Sequence, residues 1–138
     1  MGPVLGLDVG DRRIGLALSD NSRLIASPHS VLTRTNIRND IRAMVELVAR
    51  LAVTEVVAGW PLQPNGKPGQ QAQRVERFIS PLGKALGYEV KRMDERMSSV
   101  AAERALREAG VRYKKQKQIV DKVAAALILQ AWLDAHGK

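Results

Sequence analysis

Val4-Leu5-Gly6-Leu7-Asp8-Val9-Gly10-Asp11-Arg12-Arg13-Ile14-Gly15-Leu16-Ala17-Leu18-Ser19 is the stretch from which the rest of the chain can be read. From Val4 to Val9 it is apolar except for Gly6 and one carboxylate, Asp8. A short run of this kind suits a central strand buried on both faces. Gly10 and Asp11 supply a turn, and residues 14–18 read as a second strand, so the stretch predicts a β-hairpin. A bare carboxylate near the end of such a strand is costly to bury unless hydrogen-bond donors, an arginine or a metal ion compensate it. The hairpin puts Asp8 at its open end with glycine beside it, where a substrate backbone can come close. An equally open reading is a capped turn, with Asp8 accepting from nearby amide hydrogens.

Downstream of the hairpin, residues 23–32 read as a third strand, which Pro28 confines to an edge or breaks. Thr35 or Asn36 caps a helix in which Ile37, Ile41, Met44, Val45, Val48 and Leu51 recur at three- and four-residue steps. Residues 55–59 make a short buried strand, and the proline- and glycine-rich residues 61–70 a loop. Residues 71–86 predict a second helix, which Pro81 kinks or shortens and Gly87 ends. Residues 88–93 form a fifth strand. Ser98 or Ser99 caps a helix that runs to about Ala109 and stops at Gly110. A basic connector, 111–118, leads to a last helix over 119–135. The order β-β-β-α-β-α-β-α-α predicts an α/β fold, a five-stranded mixed sheet flanked by helices.

Composition narrows the class. A chain of 138 residues with 45% apolar side chains is expected to form one domain, 1–138, with a real core. Without cysteine there is neither a disulfide nor a thiolate metal site, which is compatible with a reducing cytoplasm. No signal peptide is read at the N-terminus, and the longest apolar run, 123–129, is too short to span a membrane. The net charge of +8 is uneven. Residues 1–69 carry 8 basic and 6 acidic side chains, and residues 70–138 carry 14 and 8. A basic excess biased to one half predicts a polyanion partner.

In this basic chain three places hold carboxylates in unusual surroundings. Asp8 is the first, and Asp94-Glu95-Arg96, directly after the fifth strand, is the second. If strands one and five run parallel, both lie at strand C-terminal ends, where open sheets bind ligands. The third is Asp121, which shares a helix face with Ala125, Ile128 and Trp132 near the predicted N-terminus of the last helix. Favourable interaction with the helix dipole would account for Asp121 alone. Clustered carboxylates without histidine or cysteine favour Mg²⁺ or Mn²⁺. Two such ions about 3.5–4 Å apart can activate water and stabilise a leaving oxygen in phosphodiester cleavage. The basic excess would then hold a nucleic-acid backbone.

At these residues the chain closely resembles the YqgF family, also called RuvX. The matching pieces are Leu7-Asp8-Val9-Gly10, Ile14-Gly15-Leu16-Ala17, Val57-Ala58-Gly59-Trp60-Pro61-Leu62, Asp94-Glu95-Arg96-Met97-Ser98 and residues 121–129. They occur in the family's order and span the chain. Trp60 departs from the leucine usual there, in the wall of the adjoining loop. The resemblance implies an RNase H-like fold and a cytoplasmic, metal-dependent nuclease acting on structured nucleic acid. Its expected substrate is the 5′ end of pre-16S rRNA, in ribosome biogenesis, or alternatively a Holliday junction. It also implies Asp8, Glu95 and Asp121 as the catalytic and metal-binding triad. Asp94 is a candidate assistant, and the sequence alone does not rank it against Glu95, because neighbouring strand residues point to opposite faces.

Arg12, Arg13, Arg96, Arg112, Lys114, Lys115 and Lys117 are the expected nucleic-acid contacts. Arg12 and Arg13 either hold a phosphate or balance Asp11 and Asp20. Tyr113, among the basic residues, either stacks on an unpaired base or is merely solvated. His29 and His136 read as solvent-facing, and Phe78, Tyr88 and Trp132 as packing. Two other functions compete. An actin-like ATPase or kinase also opens with an Asp-x-Gly hairpin but needs a second domain. A nucleic-acid-binding protein with a vestigial triad needs none. The expected assembly is a monomer or weak homodimer; symmetric junction cleavage would require the dimer.

Overall fold

The structure is a computed structural model that describes residues 2–97 and 114–136. Its centre is the hairpin. Strands β1 (Val4–Val9) and β2 (Arg13–Ser19) pair antiparallel, with Asp8 opposite Gly15, and the turn is closed by Gly10 N–H donating to the Arg13 carbonyl at 2.9 Å. Asp8 therefore lies beside the turn, at the closed end of the hairpin and not the open one. Strand β3 (Ala26–Thr33) adds antiparallel to β2 as an edge. Its register slips where Ala17 pairs with Pro28, the irregularity that a missing amide donor imposes. The expected start at Arg23 is too early. Arg23 takes a positive φ of 61° in a turn that the Asp20 carboxylate caps by accepting from Leu24 N–H at 2.8 Å and Ile25 N–H at 2.9 Å.

Helix α1 (Ile37–Arg50) is capped by Asn36, whose side chain accepts from Asn39 N–H. Strand β4 (Glu55–Trp60) pairs parallel with β1. Helix α2 (Gln70–Leu86) passes through Pro81 without ending and stops at Gly87 in the left-handed region. Strand β5 (Lys91–Asp94) pairs parallel with β4. It starts three residues later than expected, because Tyr88 N–H still donates to Gly83 O at the end of α2. A single 3-10 turn, Glu95–Met97, follows. The last helix, α3 (Lys114–His136), begins before the expected Ile119. Lysine and glutamine are good helix formers and no breaker separates Lys114 from Ile119, so this part of the predicted connector is helical. The helix expected over 98–109 falls outside the described residues, as do Arg112 and Tyr113.

The sheet order β3-β2-β1-β4-β5 leaves β1 in the middle, and period-2 alternation divides its side chains. Leu5 and Leu7 enter a core with Met44 and Val48 of α1 and Phe78, Ile79 and Leu82 of α2. Val4, on the other face, enters a second core with Ala124, Ala125, Ile128, Leu129, Trp132 and Leu133 of α3. Trp132 and Phe78 are packing, as the helical spacing predicts. Each core is made of buried apolar side chains, and each fully buried Val, Leu, Ile, Met or Phe contributes about 1.5–3 kcal/mol of transfer free energy. No helix among the described residues is long and apolar enough to cross a membrane.

Candidate active site

Asp8 follows Val4 and Gly6 on the face of β1 that looks at α3. Its neighbours in the same row are both glycines. Gly15 is its partner on β2. On β4 the parallel register runs to Leu7 and Ala58, so the next step sets Asp8 level with Gly59. Neither glycine has room for a side chain. A Cβ on Gly15 would run into the backbone carbonyl of Asp121. One on Gly59 would lie 2.6 Å from Glu95 Oε1 and 2.6 Å from Ile128 Cδ1 of α3. Two rows away, a Cβ on Gly6 would lie 2.7 Å from Leu129 Cβ. The glycines let α3 come down onto the sheet at this row. They admit the protein's own helix.

The row thus has the Asp121 backbone over one end, Asp8 in the middle and the Glu95 carboxylate over the other end. All three acids are buried, with relative exposures of 6% for Asp8, 9% for Glu95 and 6% for Asp121. Among the described residues no three acidic, histidine or cysteine side chains stand close enough to hold a metal ion as they are. Asp121 Oδ2 accepts from Arg13 Nε at 2.7 Å, a bond between residues 108 apart in the chain. Arg13 balances neither Asp11 nor Asp20, as the sequence had allowed. Asp121 is the eighth residue of α3, too far from the helix start for the dipole, which acts within the first turn.

Glu95 and Asp94 part company at the end of β5. Glu95 lies on the α3 side, over Gly59, and also lines a pocket with Val9, Gly10, Asp11, Gln71 and Arg74. Asp94 is engaged by its neighbour. Its carboxylate accepts from Arg96 N–H at 2.9 Å and from Arg96 Nη2 at 2.8 Å. These bonds, the side-chain ones first, hold its carboxyl below the ordinary 3.8. Arg96 is accordingly in an ion pair, while still half-exposed. Arg12 is exposed at the turn, and the side chains of Lys114, Lys115 and Lys117 lie outside what is described. Trp60 sits away from this face, under the Arg92 guanidinium, 5.1 Å from its ring centroid.

Two features went unread in the sequence. The first is the pair Gly15 and Gly59; glycine inside a strand is the signal that would have found it. The second is Asp40, an acid only 3% exposed. It accepts from Arg34 Nε at 3.1 Å and Thr35 N–H at 3.0 Å, and Arg34 Nη1 also donates to Gly10 O at 2.9 Å. Asp40 thus ties the start of α1 to the hairpin turn; its partners give it a structural role.

A central parallel pair extended by an antiparallel hairpin, with buried acids where helix meets sheet, defines an α/β protein of the RNase H-like fold. The fold is shared with resolvases. The structure superposes on Thermus thermophilus RuvC, solved with a Holliday junction substrate, at a TM-score of 0.60 and 14% identity, covering 98% of this chain and 95% of that one. It superposes on the fowlpox virus Holliday junction resolvase at a TM-score of 0.51 and 14% identity, covering 96% and 99%. Residues 2–135 match the RuvX family, described as Holliday junction resolvase. The chain belongs to the RuvX family. Curated relatives carry the provisional name pre-16S rRNA nuclease. The one from Myxococcus xanthus is 41% identical over 132 residues, 96% of this chain and 87% of the relative. The one from Chloroflexus aggregans is 45% identical over 133 residues, 96% of this chain and 94% of the relative. That from Halothermothrix orenii is 42% identical over 135 residues, 98% and 96%.

Proposed function

We propose that this chain is a divalent-metal-dependent nuclease of the cytoplasm that acts as one domain and cleaves phosphodiester bonds of structured RNA, trimming the 5′ end of pre-16S rRNA. The observation that carries the reading is the row Gly15-Asp8-Gly59, with Glu95 over one glycine and Asp121 over the other. Its side-chain donors are all carboxylate oxygens, the set that suits Mg²⁺ or Mn²⁺. Asp8, Glu95 and Asp121 would hold the metal. Bound there, it would lower the pKa of a water and stabilise the leaving oxygen.

The rest of the work belongs to the chain itself. The central strand fixes the backbone of Asp8, since that strand is paired on both sides in the sheet. The α3 core under the acids keeps bulk water out, which strengthens their attraction for a cation. Exposed Arg12, with Arg96 and Arg112 and the lysines at the start of α3, would bind the substrate backbone and carry no sequence information. The likeness to two Holliday junction resolvases favours one second reading, cleavage of branched DNA by a homodimer with two such sites.

The test is a cleavage panel with Mg²⁺ or Mn²⁺. The substrates are an RNA carrying the 5′ precursor junction of 16S rRNA, single-stranded RNA, duplex RNA, single-stranded DNA and a four-way DNA junction. Preferred cleavage of the precursor RNA, reduced at least about a hundredfold in Asp8→Asn, supports the proposal. Preferred cleavage of the junction supports the second reading. Equal cleavage by Asp8→Asn and wild type overturns the catalytic assignment.

A further inference from the structure

Arg13 opens β2 at the rim of the candidate site, and its guanidinium is one group that holds Asp121. The Nε–H donates to Asp121 Oδ2 at 2.7 Å; the side chains are 26% and 8% exposed. Two residues along the same strand, Gly15 lets the backbone of Asp121 rest on β2. The acid is therefore pinned twice to one strand, by its backbone and by its carboxylate. A buried carboxylate needs a compensating charge, and here a side chain provides it. An arginine and a divalent cation compete for the same carboxylate oxygens.

We infer that Arg13 is a positioning residue, a built-in counter-cation that holds Asp121 while no metal is bound and yields it to Mg²⁺ or Mn²⁺. The inference rests on Asp121 being a metal ligand, as proposed above. Metal binding is then an exchange of one cation for another. The divalent ion gains the oxygen because its charge is double that of the guanidinium. The released guanidinium, already a quarter exposed, is left facing the substrate side, where its planar fork suits a phosphate. Arg13 thus serves the acid first and the nucleic acid second.

The experiment is calorimetric titration of the full chain with Mg²⁺ and with Mn²⁺, without nucleic acid. Arg13→Gln removes the competitor and should raise metal affinity about tenfold. Arg12→Gln makes the same change of charge one residue away, at an exposed side chain, and should raise it less than half as much. If Arg13→Gln does not fold, Arg13→Lys keeps the charge but loses the planar donor, and should raise affinity about two- to threefold. In the wild type, the Arg13 Nε–H signal in NMR should be protected from solvent exchange without metal and lose protection as Mg²⁺ is added. Unchanged or weaker metal affinity in Arg13→Gln, an equal rise in Arg12→Gln, or an Nε–H signal indifferent to Mg²⁺ overturns the inference. Asp8→Asn separates the two levels. If it loses metal while Arg13→Gln binds as wild type does, the triad stands and the exchange fails. If it binds metal like wild type, the triad falls and takes the exchange with it.

Discussion

Asp8, Asp40, Glu95 and Asp121 are all nearly inaccessible, yet they do different things. Asp40 is neutralised by Arg34 and capped by the Thr35 amide, and it joins α1 to the hairpin. Asp121 has Arg13. Asp8 lies in a row whose two flanking positions are glycine, so these two neighbours let α3 approach and bring no side-chain chemistry. Clustered carboxylates repel one another without metal. Asp8→Asn should therefore melt at the same or a higher temperature than wild type in chelator, and gain less from added Mg²⁺. Thermal melts with and without Mg²⁺ check this; a large loss of stability in chelator would make Asp8 structural. Gly15→Ala probes the approach of the helix itself. Its methyl would collide with the Asp121 carbonyl, which a backbone cannot evade cheaply. We expect a cost of about 3 kcal/mol in chemical denaturation, with loss of cleavage as Asp121 is pushed out of line. Asp8 was legible because one carboxylate in an apolar run stands out. Asp40 was not, since an acid in the first turn of a helix is ordinary.

Among the elements, the β2–β3 connection and α3 differ most from what periodicity predicts. Residues 23–25 look like strand, but Asp20 collects the amides of Ser22, Leu24 and Ile25 into a turn. The bonds to Ile25 and Leu24, in that order, hold the Asp20 carboxyl below its ordinary 3.8. A carboxyl depressed in the folded state contributes stability that is complete above the unfolded value and is lost as pH falls through the folded one. Asp20→Ala should therefore lower the melting temperature at neutral pH and flatten its decline between about pH 5 and 2. A melting series over that range is the measurement, and parallel curves for variant and wild type would remove Asp20 from the acid response. In α3 the earlier start changes the meaning of Asp121. Two turns inside a helix, an acid gains nothing from the N-terminal amides. Asp121→Asn and Asp121→Glu should both spare the helix. The glutamate should still cost about a hundredfold in rate, because it moves the carboxylate by more than about 1 Å.

Two cores on opposite faces of one sheet hold the molecule together, and the candidate site lies where the second core runs out into acids. The basic excess is a property of the whole chain and bears on its partner. A net charge of +8 makes affinity for a polyanion fall steeply with salt. Replacing Lys114, Lys115 and Lys117 together by alanine should weaken nucleic-acid binding. For each phosphate that is no longer neutralised, the slope of log affinity against log salt should fall by about 0.7 for single strands or 0.9 for duplex DNA. Cleavage at saturating substrate should persist, since these residues position the backbone and do not activate water. Binding isotherms over a salt series decide it, and an unchanged slope would mean that this stretch of α3 faces away from the substrate.

The sequence alone was enough for the hairpin, the edge position of the proline-broken strand, the alternation of helix and strand after it and the two helical packing faces. Each of these is written in local pattern, where the period of a helix or a strand repeats within a few residues. The choice between Asp94 and Glu95 was not written there. Adjacent residues of a strand face opposite ways, and only the tertiary structure shows that Glu95 is the one that lies over Gly59 on the α3 side. Nor was the partner of Arg13, 108 residues away, or the task of Gly15 and Gly59, which is to make room for a helix that the chain reaches last. Approaches of that kind depend on which surfaces the closed sheet and its helices bring within a few ångströms, and no local pattern along the chain records that distance.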